Sequence, residues 1–244
     1  MDGFIRAIDL KKVYYVGNQK IEAVRGVSLQ VERGDFIVIL GHSGSGKTTL
    51  ISMIGGLTRP SSGNVFIEGI NLWALGDKEL SLFRNKKIGF IFQSFSLLPS
   101  LNVLNNVVVP AIFSKKAKKD RKALQSRAHS ILSDLNMVDK MNSYPSELSG
   151  GEQRRVAIAR ALINDPDIIL ADEPTSELDI RTEYEVIEIF QNINEAYKKT
   201  IIVVSHTLSW AQKAKKVIVM KDGLIYDNIA DPVETLMGGM SKRI

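Results

Sequence analysis

The stretch Gly41-His42-Ser43-Gly44-Ser45-Gly46-Lys47-Thr48-Thr49 limits what this chain can fold into more than any other. It fits G-x-x-x-x-G-K-[ST], a loop whose backbone amides cradle phosphate. Directly before it runs Phe36-Ile37-Val38-Ile39-Leu40, an unbroken apolar segment of the kind buried on both faces of a sheet. Directly after it, Leu50, Ile51, Met53 and Ile54 recur at helical spacing. Strand, glycine loop and helix start form the context that separates this motif from an ordinary glycine-rich turn. They commit the core to an α/β fold.

The residue types explain the chemistry. Glycines let successive N–H groups turn toward an anion without Cβ interference, and a helix N-terminus adds free donors and the positive end of its dipole. In this motif Lys47 reaches the β- and γ-phosphates and the Thr48 hydroxyl ligates Mg2+.

Three more apolar segments each deliver a polar residue at their exit. Ile88-Gly89-Phe90-Ile91-Phe92 ends in Gln93, whose amide can touch a metal ion or an attacking water, although a plain loop residue explains it alone. Ile168-Ile169-Leu170-Ala171 closes on Asp172 and Glu173. Adjacent carboxylates at the end of a buried strand are costly unless paired or metal-bound. Asp172 is placed to hold Mg2+ through its water shell and Glu173 to polarise a water, against the simpler view of a strand emerging into solvent. The segment 200–205 delivers His206, an imidazole able to bond a phosphate oxygen, where a lone histidine is more often structural.

Around these runs the chain changes character twice. Through Glu32 it reads as β-rich, with Val27, Leu29 and Val31 alternating with Ser28 and Gln30 in the manner of a half-buried antiparallel strand. Tyr14 and Tyr15 precede a turn at Gly17-Asn18; one can stack on a flat base, or simply pack on its sheet. Breakers at Thr58-Arg59-Pro60-Ser61-Ser62-Gly63 precede a short strand at Val65, Phe66 and Ile67. From Ser94 to Ser149 no strand pattern occurs. Leu124, Ala128, Ile131, Leu132 and Leu135 mark a helix over 121–137, so this part reads as a helical insert.

Lys115, Lys116, Lys118, Lys119, Arg121 and Lys122 form a basic run there, most simply a solvated face, and His129 falls on the polar side of the helix. Leu148-Ser149-Gly150-Gly151-Glu152 opens another helix: a serine followed by two glycines suggests a second phosphate contact beyond a simple N-cap. Ser176-Glu177-Leu178-Asp179 is expected to open the next helix, continuing through 193. Val217 to Met220 and Leu224 to Tyr226 flank Lys221-Asp222-Gly223 as a hairpin. The tail beyond Asp227 carries weak signals and no second domain.

Composition narrows the class. The 244 residues are 44% hydrophobic and 24% charged, an ordinary globular balance. There is no cysteine, which excludes disulfides, thiol catalysis and cysteine zinc sites and points to a reducing compartment. No apolar run approaches the ~18 residues of a membrane helix, and no signal peptide is visible, so the expectation is a soluble chain without its own membrane span. The net charge of +5 discriminates little between an anionic surface, nucleic acid and neither.

Taken in order, the motifs resemble those of the ATP-binding-cassette ATPases over nearly the whole chain. The Walker A motif corresponds to 41–48, the Q-loop to Gln93, the signature motif to 148–152 and Walker B to a segment ending at Asp172. Glu173 matches the catalytic carboxylate, 176–179 the D-loop and His206 the H-loop histidine. The resemblance implies a P-loop, RecA-like core with an antiparallel β subdomain and an inserted helical subdomain, divided as 1–93, 94–164 and 165–244. It implies ATP and Mg2+ as cofactors, Tyr14 stacking on adenine (Tyr15 being the alternative), and Lys47, Gln93, Glu173 and His206 around the γ-phosphate.

It also implies a head-to-tail dimer, with itself or a paralogous ATPase, in which Ser149, Gly150 and Gly151 complete the partner's site. Integral membrane permease subunits are the implied partners, on the inner face of the cell membrane. Phe92-Gln93-Ser94-Phe95-Ser96-Leu97-Leu98-Pro99 and Asp172-Glu173-Pro174-Thr175 are most similar to the lipoprotein-releasing and macrolide-exporter group. Three positions depart from the pattern: Glu152 where glutamine is usual, Glu177 in place of a small residue, and the uncommon His42.

A second class, a nucleic-acid or ribosome-directed ATPase on the same fold, predicts long coiled coils, tandem cassettes or cysteine-zinc modules. The sequence has none of these.

Overall fold

The computed structural model of the chain describes residues 3–113 and 121–226. Strands β1 (Ile5–Val16) and β2 (Gln19–Val31) form a long antiparallel pair closed by Gly17-Asn18, with Val16 opposite Gln19. Strand β3 (Phe36–Leu40) leads through the glycine loop into α1 (Lys47–Ile54). Strand β4 (Ser62–Ile67) then pairs back onto β1 and β5 (Ile70–Asn71) onto β4, giving an antiparallel sheet ordered β2-β1-β4-β5.

Helix α2 (Asp77–Lys87) and strand β6 (Ile88–Ile91) follow, and then an all-helical stretch of α3 (Val103–Ile112), α4 (Arg121–Asp134) and α5 (Gly150–Leu162). Strand β7 (Ile168–Asp172), helix α6 (Ile180–Tyr197) and strands β8 (Thr200–Ser205), β9 (Lys216–Lys221) and β10 (Leu224–Tyr226) complete the described chain.

The second sheet runs β10-β9-β3-β8-β7-β6, parallel except for the terminal β9–β10 hairpin. Its alternation explains why β3 is apolar throughout. Phe36, Val38 and Leu40 pack into a core shared with α3 to α6, while Ile37 and Ile39 pack on the other face, with α1 and the antiparallel sheet. All five are at most 2% exposed. The parallel strands therefore release their C-terminal ends along one edge, where α/β sheets place ligands.

Several boundaries differ from expectation. The segment 176–179 is not the first turn of α6: Asp179 is its N-cap, the carboxylate accepting from the Thr182 amide at 3.1 Å, and 173–178 turns outside any helix. Phe92 lies one residue past β6. Helix α2 was hidden by its charge; it is held by acids in its first turn, Asp77 and Glu79, and bases in its last, Arg84, Lys86 and Lys87. Lys115, Lys116, Lys118 and Lys119, and the tail from 227, lie outside the described residues, while Arg121 and Lys122 are exposed. Among the described residues no helix is long and apolar enough to cross a membrane.

Candidate active site

The loop between β3 and α1 folds around close backbone contacts. A Cβ on Gly41 would lie 2.3 Å from the Met220 carbonyl oxygen, so strand β9 tolerates no side chain there. Gly46, the N-cap of α1, sits at φ 102°, with the Ala23 carbonyl 2.2 Å from where a Cβ would stand. Having no side chain, Gly46 leaves the first amides of α1 for a ligand. Lys47 is buried, and its ammonium donates to the carbonyls of Gly41 at 2.7 Å and His42 at 3.1 Å.

A cavity of about 600 Å³ opens over this loop. Its floor is made by His42, Ser43, Gly44, Gly46, Lys47, Thr48 and Thr49. Tyr14, Ala23, Gln93, Glu173 and His206 complete its lining. Gly41 and Ser45 are buried behind the loop instead: the Ser45 carbonyl accepts from the Gly223 amide at 3.0 Å. Tyr15 is 72% exposed and absent from the walls, since neighbours on a strand point to opposite faces. Ala23 carried no signal in the sequence, because its contribution is its place on β2.

Strand register brings the acids in. Asp172 ends β7 beside Val204 of β8, and the Glu173 amide donates to the Val204 carbonyl at 2.9 Å. Glu173 then turns to φ 45°, a left-handed conformation uncommon outside glycine and asparagine, which keeps its carboxylate buried at 9% exposure. One carboxylate oxygen lies 3.4 Å from the Lys47 ammonium and the other 2.8 Å from His206 Nδ1. The His206 amide donates to that second oxygen at 3.3 Å.

The loop carrying His206 is itself braced, Thr207 donating to the Glu183 carboxylate at 3.0 Å and the buried Trp210 indole to Thr175 at 3.1 Å. Neither Glu183 nor Trp210 could be assigned from spacing, because both act from other elements.

The Thr48 hydroxyl donates to an Asp172 carboxylate oxygen at 3.0 Å. Burial raises the Asp172 pKa above its ordinary value; the Thr48 bond opposes this, the negative charge of Glu173 adds to it and the charge of Lys47 opposes it. These two hard oxygen donors suit Mg2+, which dehydrates reluctantly and takes one or two protein ligands plus phosphate oxygens and water. The described residues contain no cluster of three or more acidic, histidine or cysteine side chains that would make a protein-only cage.

Ser149, Gly150 and Gly151 are not in the cavity walls. Ser149 is the N-cap of α5 in a reciprocal capping box with Glu152: its amide donates to the Glu152 carboxylate at 2.8 Å and its hydroxyl accepts from the Glu152 amide at 3.3 Å. The side chain is exposed. Gly151 has a structural reason of its own, for a Cβ there would meet Thr182 of α6 at 2.6 Å.

The profile of the ABC transporter family matches residues 24–176, well over half of the chain. The chain belongs to the ABC transporter family. It is 44% identical over 229 residues to the lipoprotein-releasing system ATP-binding protein LolD of Aquifex aeolicus, covering 94% of this chain and 99% of that one. It is 38% identical over 232 residues to the macrolide export ATP-binding/permease protein MacB of Rhodopirellula baltica, covering 95% of this chain but only 34% of the relative. Among solved structures, the ATP-binding cassette MJ0796, as a post-hydrolysis dimer bound to ADP and Pi, superposes with a TM-score of 0.85 at 38% identity, over 93% of this chain and all of that one. The chain thus spans nearly the whole length of the LolD relative and about a third of the MacB relative.

Proposed function

We propose that this ABC ATPase binds and hydrolyses ATP to power separate membrane permease subunits, in lipoprotein release or export. The observation that carries the reading is the convergence of Lys47, Thr48, Gln93, Glu173 and His206 on one cavity. The α1 amides and Lys47 hold the phosphates, and Tyr14 stacks on the base. Thr48 and Asp172 would hold Mg2+, which would supply positive charge against the phosphates. Glu173 accepts the proton of a water attacking the γ-phosphate, releasing ADP and phosphate. Gln93 orients that water, and His206 holds the Glu173 carboxylate and bonds the transferring phosphoryl group. Positioning and electrostatics carry most of the catalysis.

The three-part division 1–93, 94–164 and 165–244 belongs to the same proposal, the middle part containing α3 to α5. So does the second half of the site: Ser149, Gly150 and Gly151, exposed or half-buried away from their own cavity, close over the cavity of another copy or a paralogue. The chain then sits on the inner face of the membrane through its permeases. The named relatives are transport proteins, which favours this reading over action on nucleic acid.

Glu173→Gln is the deciding variant. It should lower steady-state ATP hydrolysis by at least about a hundredfold, the scale of losing a general base, while ATP binding persists and a nucleotide-dependent dimer accumulates in size-exclusion chromatography. Unchanged turnover would sink the base assignment. Extraction from native membranes should recover an integral membrane partner; recovery of only ribosomes or DNA would reject the transport reading.

A further inference from the structure

Arg154, on the second turn of α5, is fully buried, although the site as described gives it no task. Its two terminal nitrogens donate to consecutive carbonyls of the loop after β6, Phe92 at 2.6 Å and Gln93 at 2.7 Å. The guanidinium lies over the Phe95 ring, 4.8 Å from its centroid. Arg160, farther along α5, donates to Ser96 and Phe95 carbonyls of the same loop at 2.6 and 3.0 Å. One helix therefore grips the segment that carries Gln93 into the cavity.

The other end of that helix bears Ser149, and beside it the space a Gly150 Cβ would enter is bounded by Leu178 at 3.5 Å and Phe95 at 3.7 Å. Glu177, next to Leu178, is exposed and held at φ 71°, a conformation that persists in a side-chain-bearing residue only where its surroundings impose it. Arg154 Nε is buried without an acceptor. Burial lowers the Arg154 pKa to about 10, and the negative charge of Glu177 pulls it back up. At neutral pH the guanidinium is thus a buried cation, and the loop before α6 runs near the Phe95 ring that it covers.

We propose that Arg154, with Glu177 as counter-charge, is a positioning residue that locks the 92–96 loop to α5 and to the 176–179 loop, so that Gln93 and the 149–151 face move as one body. A guanidinium fork suits two adjacent carbonyls, and its bonds are strengthened by charge; lysine has no such fork.

Two measurements test it, only the second resting on the ATPase reading. In nucleotide-free protein, hydrogen exchange across 92–98 should accelerate about threefold or more in Arg154→Lys and in the surface variant Glu177→Gln, which leaves the core intact. Unchanged exchange in both would overturn the lock. In steady-state ATP hydrolysis, Glu177→Gln should lower kcat about fivefold with KM little changed in the natural background, and less than about twofold in an Arg154→Met background. Equal losses in the two backgrounds would also overturn it. A natural protein that hydrolyses no ATP would instead reject the functional reading, leaving the exchange measurement to judge the lock.

Discussion

Asp172 stands at the end of a buried strand with its carboxylate partly stripped of water, and its raised pKa is the cost of that placement. The folded protein holds the Asp172 proton to higher pH than the unfolded chain does. The penalty is therefore absent in acid and grows as pH rises through the elevated folded value. At neutral pH without nucleotide, Asp172→Asn keeps the acceptor for Thr48 and removes the charge. It should raise the unfolding midpoint by about 2–4 °C, the response of a chain this size to about 1 kcal/mol, while losing Mg2+-dependent hydrolysis. Calorimetry at pH 7 checks the first part, and a variant no more stable than the natural protein would contradict it. Much at this scale was legible: the glycine-loop motif marks Lys47 and Thr48, and Asp172, Glu173 and His206 announce themselves as polar groups at the exits of apolar strands. Ala23 and Arg154 do not. One offers only a carbonyl and a wall, and the other sits in a charged-looking helix whose burial no spacing reveals.

Helix α5 shows how one sequence signal can carry two meanings. Ser149 followed by two glycines suggests an anion site, yet the S-x-x-E spacing of Ser149 and Glu152 was equally on view and forms the capping box. Glu152 is held below the usual carboxylate range first by the Ser149 amide, then by the Ser149 hydroxyl and the charge of Lys140. A depressed pKa contributes stability that is present above the ordinary value of 4.5 and lost as pH falls through the folded value. Glu152→Gln keeps an acceptor for the amide but loses the charge. It should cost about 0.5–1 kcal/mol at pH 7 and nothing once the natural carboxyl is protonated. Urea midpoints at pH 7 and in acid check this; a gap that persists in acid would mean the amide caps badly for steric reasons. Gly151 adds a tertiary reason, the approach of Thr182, that belongs to neither local reading.

At the scale of the whole molecule, the separation of 149–151 from the cavity makes one copy an incomplete ATPase in the proposed mechanism. Hydrolysis per subunit should therefore rise with protein concentration before levelling off, and a specific activity constant under dilution well below the levelling point would argue for a self-sufficient monomer. The residues alone determined the α/β class, the phosphate loop and the set of strand-end polar groups, because buried parallel strands and glycine loops impose strong local patterns. Only the tertiary structure decided which of those groups share a cavity, that Tyr14 rather than Tyr15 faces it, that Glu173 turns back to meet Lys47 and His206, and that Arg154 is buried against the Gln93 loop. Those outcomes depend on strand register and on contacts between residues far apart in the chain. The same residue types at the same spacing can satisfy several local readings until packing removes all but one.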